Sequence, residues 1–391
     1  MLNKENLVNK ENMVNQVSLV NEKRVVKEFC KLVSIDSISF KERKMADYLK
    51  DELVRLGFLV LEDKANEVYG GNAGNVYGYL EGEIPGPPIL FSSHMDTVVP
   101  GLNKKAIVHE DRRITSDGST ILGADDLSGI TAILESIKTL KENNIPHRSI
   151  EILFPIAEEV YIRGSEVFDY SIVKAKEAYV LDLSGPVGLA ALKAPTLVSF
   201  TAKFKGLAAH AGFAPEEGIH AIMMAATAIT RIKQGRIDKE TTVNIGKIDG
   251  GLARNIVPET CILLGEVRSL VHEKALSIAD EIKEVFELVA KEYKGQLEFE
   301  TSFGCISYEV KQDEDVVLSF IKACKELGIE YQFTETFGGS DNNNFMLHGI
   351  KGIVIACGMN EVHSTNEYTT IDELIKITNI VMKLMTSEVP S

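Results

Sequence analysis

Histidine and carboxylate side chains follow the apolar segments of this sequence, at the points where predicted strands end. They are His94 and Asp96, Glu158 and Glu159, Asp182, and His363, and the acidic turn Gly123-Ala124-Asp125-Asp126 precedes a predicted helix. Any one of them alone is typical of a surface or capping position. Together at one edge of a sheet they would form a nitrogen and oxygen ligand set, which suits zinc and is tolerable for cobalt or manganese.

Glu158 and Glu159 are adjacent, although neighbouring side chains on a strand point to opposite faces. Either one of them is ordinary surface charge, or the chain leaves the strand here and each glutamate has its own role. We favour the second interpretation, because side chains that diverge at the end of a strand can bind a metal ion and a water molecule separately.

Two of the aspartates have more than one interpretation. Asp96 lies two residues after His94, on the same side of an extended chain. Its carboxylate either orients the imidazole ring or belongs to a turn. In the Asp125-Asp126 pair, one residue could simply cap the helix that follows.

Short apolar segments alternate with helical patterns outside residues 195–306. The predicted strands include 88–91, 150–156, 178–183 and 353–356, and the predicted helices include 41–57, 128–142 and 315–327. This alternation is typical of an α/β domain with a mainly parallel sheet flanked by helices. Ligands collect at the carboxyl ends of the strands in such sheets, which is where these histidines and carboxylates lie. The helix over 41–57 begins beside Ser39-Phe40-Lys41-Glu42, which has the spacing of a capping box.

Residues 195–306 have a different order of elements: strand, helix, two strands, helix, strand. This β-α-β-β-α-β order is the ferredoxin-like pattern and predicts a separate domain inserted into the α/β domain. We therefore predict four segments. They are an N-terminal helical extension (1–22), the first part of a catalytic metal-binding domain (23–194), an inserted lid or dimerisation domain (195–306) and the second part of the catalytic domain (307–391).

The composition excludes several classes of protein. A formal net charge of −15 argues against nucleic acid or an anionic membrane as the main partner. No apolar segment approaches the length of a membrane span, and the N-terminal residues lack the apolar core of a signal peptide. The five cysteines are scattered without a C-x-x-C pair, so disulfides and a cysteine metal site are not expected, and we predict a cytoplasmic protein.

Other catalytic signatures are absent from the sequence. It contains no G-x-G-x-x-G, no Walker loop and no G-x-S-x-G nucleophile elbow. A glycosidase would use paired carboxylates on opposing strands, whereas Glu158 and Glu159 are adjacent, and the two histidines would go unexplained. Metal-assisted hydrolysis accounts for more of these histidines and carboxylates than a serine hydrolase or a glycosidase would.

The ordered set of motifs resembles a known family. His94-Met-Asp96, Gly123-Ala-Asp125-Asp126, Glu158-Glu159, Asp182, His210-Ala-Gly212 and His363 follow the order seen in the co-catalytic zinc peptidases, which include peptidase T, aminoacylase and acetylornithine deacetylase. The resemblance spans nearly the whole chain and is greatest to the peptidase T pattern. The sequence departs from that pattern at Leu127, at Ala211 and over 160–164, but none of these positions is a predicted ligand or base.

The resemblance implies two divalent metal ions, zinc first with cobalt or manganese as alternatives, bridged by Asp125. His94 and Asp182 would complete one site, and Glu159 and His363 would complete the other. Glu158 would be the general base, and Asp96 would orient His94.

The resemblance also implies residues that contact the substrate. His210 in the insert would donate a hydrogen bond to the oxyanion, and in some relatives it comes from the partner subunit; the alternative is an ordinary loop histidine. Arg254 and Asn255 could bind a substrate carboxylate, because arginine offers a forked donor geometry, but an exposed turn arginine fits equally well. Asp341, in Gly338-Gly339-Ser340-Asp341, belongs either to a loop that approaches the substrate or to a tight turn.

The expected function is hydrolysis of the amide bond of short peptides, of the tripeptide aminopeptidase type. The first alternative is an amidohydrolase of the same family that removes the acyl group from an N-acyl amino acid. The second is a metal-binding relative that no longer catalyses, although the intact Glu158 argues against it. A homodimer through the inserted domain is the expected assembly.

Overall fold

The computed structural model describes residues 19–388 of the chain. They divide into two units by their internal contacts. Unit 1 runs to Leu192 and continues over Val310–Glu335 and from Ser340 onward, whereas unit 2 comprises Lys193–Glu309 and Thr336–Gly339. Of the N-terminal extension predicted over 1–22, residues 1–18 lie outside the described part of the chain.

The helices include both long amphipathic segments and single turns. They are α1 (Glu22–Val33), α2 (Arg43–Arg55), α3 (Ala65–Tyr69), α4 (Ala124–Glu142), α5 (Arg163–Glu166), α6 (Ala221–Arg231), α7 (His272–Glu292), α8 (Asp315–Glu326), α9 (Asp341–Leu347) and α10 (Ile371–Met385).

The strands form one large mixed sheet and two smaller antiparallel sheets. They are β1 (Leu59–Glu62), β2 (Val76–Leu80), β3 (Ile84–Ser92), β4 (Ile107–Val108), β5 (Arg113–Thr115), β6 (Arg148–Phe154), β7 (Glu177–Leu183), β8 (Leu189–Ala194), β9 (Thr196–Lys205), β10 (Gly235–Asp238), β11 (Thr241–Gly250), β12 (Thr260–Ser269), β13 (Gln296–Cys305), β14 (Tyr308–Glu309), β15 (Gln332–Glu335), β16 (Lys351–Ala356) and β17 (Tyr368–Thr370).

The centre of unit 1 is a sheet with the strand order β1-β2-β6-β3-β7-β16-β8, and β15 also pairs with β8. The four middle strands, β6, β3, β7 and β16, pair in parallel. Strand β6 is buried along its whole length, as expected for a parallel strand covered by helices on both faces. Helix α4 packs on this sheet and against α1 and α10. The predicted α/β class with a mainly parallel sheet is confirmed.

Unit 2 contains an antiparallel sheet of five strands in the order β10-β11-β12-β9-β13. Helices α6 and α7 pack on one face of it, and their apolar side chains share one core with the strands. The order β9, α6, β11, β12, α7, β13 is the ferredoxin-like order, with β10 as an additional strand. The alternation of buried and half-buried residues along β9 is typical of a sheet that is covered on one face.

The predicted capping box before α2 is wrong. Helix α2 begins at Arg43, its N-cap is Glu42, and no side chain caps the helix there. The Ser39 hydroxyl donates to the Asp96 carboxylate at 2.7 Å instead. The Glu42 carboxylate accepts from the amides of Phe40 and Ala157. Ser39 and Glu42 therefore form contacts at the carboxyl edge of the sheet and do not cap the helix, although their spacing in the sequence predicts that they would.

All five cysteines lie in the described part of the chain and are free thiols. Among residues 19–388, no helix is both long and apolar enough to cross a membrane.

A close approach at Gly129 lets α4 pack against the ends of β3 and β7. A Cβ atom at this position would lie 2.7 Å from Asp126 Oδ1, 2.7 Å from Ser93 Oγ and 2.8 Å from Leu181 Cβ. These neighbours are buried and cannot move away freely.

We expect Gly129→Val to destabilise the protein by about 1–3 kcal/mol, because overpacking forces the helix away from the sheet. The matched control is Gly246→Val in the exposed part of β11, where the nearest atom would lie 3.4 Å from the new Cβ. Urea unfolding of both variants measures the difference. Equal unfolding midpoints for the two variants would contradict the close approach.

Candidate metal centre

The predicted site residues of unit 1 gather at the carboxyl edge of its parallel strands. Because β6, β3, β7 and β16 are parallel neighbours, their carboxyl ends meet at one edge of the sheet. His94 follows β3, Glu158 and Glu159 follow β6, Asp182 lies in the last part of β7, His363 follows β16, and Asp125 lies in the first turn of α4.

One group of possible ligands consists of His94, Asp125 and Asp182. His94 Nε2 lies 3.1 Å from Asp125 Oδ1 and 3.8 Å from Asp182 Oδ1. One ligand atom from each residue lies within 4.8 Å of the others, which is the spacing that a shared cation needs. His94 is buried, so a cation here would be shielded from bulk water.

A second group consists of Asp125, Glu159 and His363. His363 Nε2 lies 3.0 Å from Glu159 Oε2 and 3.3 Å from Asp125 Oδ2. Asp125 thus belongs to both groups and faces each with a different carboxylate oxygen. The structure brings together all five residues that the sequence analysis predicts as ligands.

Glu158 is buried beside the first group but belongs to neither. Its Oε2 lies 4.0 Å from His94 Nε2. The chain turns sharply after β6, and Ala157 has a left-handed φ of 51°. This turn directs the two glutamates differently, because Glu159 contacts His363 whereas Glu158 contacts His94.

Asp96 contacts His94 mainly through its backbone. Its carbonyl oxygen lies 2.9 Å from His94 Nδ1, whereas its carboxylate lies 3.5 Å from the same nitrogen. A hydrogen bond from Nδ1–H to this carbonyl leaves Nε2 free to bind a metal ion. The carboxylate accepts from the amides of Glu158 at 2.9 Å and Glu159 at 3.3 Å. Asp96 therefore links the turn that carries His94 to the turn that carries both glutamates.

The electrostatics of the site show an excess of buried negative charge. In the described part of the chain, the ion pairs of Asp125, Glu158, Glu159 and Asp182 all involve one of two histidines, His94 or His363. A cluster of four carboxylates with two imidazoles is the arrangement that buried divalent cations would neutralise.

The pKa values follow from this excess. Burial, and then the charge of Glu158, holds the pKa of Asp182 well above its usual range. Burial also raises the pKa of Glu158 well above its usual range. Hydrogen bonds to Asp125 and Glu159 raise the pKa of His363 to about 10. Burial alone would lower the pKa of His94, but its contacts with Asp125 and Asp96 outweigh burial and raise it.

Glu367 belongs to the site, although the sequence analysis missed it. Its carboxylate accepts from the amides of Gly123 at 2.7 Å and Asp125 at 2.9 Å, and its side chain is buried. Burial raises its pKa to about 7. Glu367 lies four positions after His363 in the sequence, which is the one signal that could have drawn attention to it.

The predicted substrate residues of unit 2 lie on two paired segments. His210 forms an isolated β-bridge with Ile256, and the amide of Ala211 donates to the carbonyl of Asn255 at 3.0 Å. His210, Arg254 and Asn255 are all exposed. His210 Nδ1 accepts from the amides of Gly212 and Phe213 at 3.1 Å each, so its Nε2 carries the hydrogen and is a donor.

Asp341 lies in unit 1 at the start of α9 and is buried. Its Oδ1 accepts from the Ser165 hydroxyl at 2.5 Å. Burial raises its pKa to about 6. The residue therefore belongs to a helix start rather than to an exposed loop or turn.

Two family profiles and a relative from Bacillus subtilis match this chain. The profile of the peptidase dimerisation domain matches residues 194–294, and the profile of peptidase family M28 matches residues 75–204. The protein YqjE of Bacillus subtilis is 40% identical over 362 residues, which cover 93% of this chain and 97% of that protein.

Two solved structures are similar over nearly their whole length. Aminopeptidase PepT from Bacillus cereus is 38% identical with a TM-score of 0.86, and the match covers 94% of this chain and 98% of that chain. A tripeptidase from Staphylococcus aureus is 36% identical with a TM-score of 0.91, at the same coverage of 94% and 98%. The chain therefore belongs to the peptidase T-like family of metal-dependent peptidases.

Proposed function

We propose that this protein is a two-metal aminopeptidase for short peptides, of the tripeptidase type, with Glu158 as the general base. The observation that carries the proposal is that two ligand groups share Asp125. The carboxylate of Glu158 lies beside them and belongs to neither group. Similarity to an aminopeptidase and to a tripeptidase supports the class of substrate.

The donor set fits two divalent cations. Asp125, Asp182 and Glu159 supply three negative charges, and His94 and His363 supply ring nitrogens. Two divalent cations would offset this charge and would also remove the cause of the raised histidine pKa values. Zinc suits the mixed nitrogen and oxygen set, with cobalt or manganese as alternatives. When bound, such cations lower the pKa of a water molecule and polarise the scissile carbonyl.

The residues of the chain then divide the work of hydrolysis. Glu158 accepts a proton from the attacking water and delivers it to the leaving amine, because its buried carboxylate belongs to neither ligand group and lies 4.0 Å from His94 Nε2. Asp96 fixes the tautomer of His94 through its backbone carbonyl and holds the amide of Glu158 through its carboxylate.

Unit 2 supplies groups suited to binding the substrate. The donor at His210 Nε2 suits an oxyanion, and the Arg254 guanidinium with the nearby Asn255 suits a peptide carboxylate. We propose that these residues bind the substrate, that Asp341 supports the site from the start of α9, and that two copies associate through unit 2. The match of unit 2 to a peptidase dimerisation domain supports this association. The cytoplasmic location stays a prediction.

Metal analysis tests the shared aspartate. After reconstitution with zinc, cobalt or manganese, we expect about two ions per chain, as in two-metal hydrolases. Asp125→Asn removes the shared ligand and should lose most of both ions, whereas Asp182→Asn should weaken one site. A chelator should abolish activity and added metal should restore it. Independent loss of a single ion from Asp125→Asn would contradict the shared ligand.

Glu158→Gln tests the general base. The amide cannot carry the proton, so we expect kcat to fall by roughly 10²- to 10⁴-fold while both ions and KM are largely retained. The matched comparison is Glu159→Gln, which should release one ion. Steady-state kinetics and metal analysis on the same preparations separate the two effects. A Glu158→Gln enzyme with normal kcat would show that another group moves the proton.

A substrate panel tests the reaction itself. We expect the metal-loaded protein to hydrolyse di- and tripeptides with a free amino terminus faster than N-acetyl or N-succinyl amino acids. Blocking the amino terminus of a good tripeptide substrate should abolish its hydrolysis. Release of the amino-terminal residue, measured by mass spectrometry, identifies the bond. Preference for the N-acyl amino acids would support a deacylase, and no hydrolysis of any compound would support a non-catalytic role.

A further inference from the structure

Four consecutive backbone amides at the end of β6 donate hydrogen bonds to side chains from distant parts of the chain. They are Ile156 to Asn75 Oδ1 at 3.0 Å, Ala157 to Glu42 Oε1 at 3.1 Å, Glu158 to Asp96 Oδ1 at 2.9 Å and Glu159 to Asp96 Oδ2 at 3.3 Å. Strand β6 ends at Phe154, so these amides lie beyond the sheet ladder. Side chains therefore satisfy the donors that the sheet leaves free.

The second amide of this series has the most demanding geometry. Ala157 has a φ of 51°, in the left-handed region that a residue with a Cβ atom disfavours. A residue with a Cβ atom is strained there, so the surrounding contacts must maintain it. The contact that holds its amide is the Glu42 carboxylate.

Glu42 is poorly suited to a purely structural task. It is fully buried, and its Oε1 accepts from both Phe40 at 2.7 Å and Ala157 at 3.1 Å. Its Oε2 has no hydrogen-bond partner within the described residues. Burying an unpaired carboxylate oxygen is unfavourable, and a helix N-cap does not require it. The contribution of the Glu42 carboxylate therefore lies in its contact with Ala157, in the turn before Glu158 and Glu159.

We propose that Glu42 is a positioning residue for Glu158, which it holds through the backbone amide of Ala157. The proposal rests on the assignment of Glu158 as the general base. Without the acceptor at Glu42, the Ala157 amide loses its partner, and Ala157 keeps only the bond that its carbonyl accepts from the Arg163 amide at 3.0 Å. The following peptide then rotates and moves the Glu158 carboxylate relative to His94. Glu159 is tied separately, through Asp96 and His363, so the ligand groups persist.

Three substitutions of Glu42 distinguish positioning from simple stabilisation. Glu42→Ala removes the acceptor. Glu42→Asp keeps a carboxylate but shortens the side chain by one methylene, which moves the acceptor away from the Ala157 amide. We expect both to lower kcat by on the order of 10- to 100-fold, with KM and metal content little changed, because small displacements of a catalytic group have effects of this size. Glu42→Gln keeps a carbonyl oxygen at the Oε1 position and should recover most of kcat.

Glu151 provides a matched control. It is also fully buried and accepts from two backbone amides, Lys174 at 2.8 Å and Ala175 at 3.1 Å. Glu151→Ala should lower thermal stability as Glu42→Ala does but leave the kcat of the folded enzyme unchanged. If Glu42→Ala does not fold, Glu42→Asp and Glu42→Gln still give the comparison.

Amide hydrogen exchange over 155–160 gives a second readout that needs neither metal nor substrate. Exchange of the Ala157 amide should accelerate in Glu42→Ala and Glu42→Asp, but not in Glu42→Gln or Glu151→Ala. Normal kcat in Glu42→Asp, or equal loss of kcat in Glu42→Gln and Glu42→Asp, would overturn the proposal. Absence of peptide hydrolysis by the wild-type protein would instead overturn the proposed function, and accelerated exchange would still support the contact of Glu42 with the turn.

Discussion

The accumulation of carboxylates at one edge of the parallel sheet is the constraint on which the site depends. Asp125, Asp182, Glu158 and Glu159 lie around two imidazoles and repel one another until cations or protons neutralise them. A chain can hold such groups together only if their backbone is fixed by other means. The parallel strands β6, β3, β7 and β16 bring the groups close, but most of them lie in turns beyond the strand ends.

Buried carboxylates that belong to neither ligand group fix those turns. Asp96 accepts from the amides of Glu158 and Glu159, Glu42 accepts from Ala157, and Glu367 accepts from Gly123 and Asp125. Each of them provides an acceptor for amides that the sheet and helices leave free. The turns are therefore held by side chains that belong to neither ligand group.

The sequence predicts which residues gather at the edge of the sheet better than it predicts the side chains that hold their turns. His94, Asp182 and His363 were found because strand ends can be recognised from apolar segments, and parallel strands bring such ends together. Glu42 and Glu367 act on amides more than one hundred positions away in the sequence, and no local pattern encodes such a contact. Ser39 and Glu42 even have the spacing of a capping box, which explains why the sequence analysis assigned them to the helix. The mainly parallel sheet and the insert were accessible because each depends on the order of elements and not on single contacts.

The shared position of Asp125 makes the two ligand groups thermodynamically linked. Its Oδ1 faces His94 and its Oδ2 faces His363, so occupation of one group fixes the orientation of a ligand in the other. A cation that binds first and orders this carboxylate would lower the entropic cost of binding the second cation. Linkage requires that each cation favour the other by the same free energy. Glu367, which holds the amide of the same aspartate, extends this coupling to the loop that carries His363. With a cation in each group, as proposed, filling one group would therefore favour filling the other.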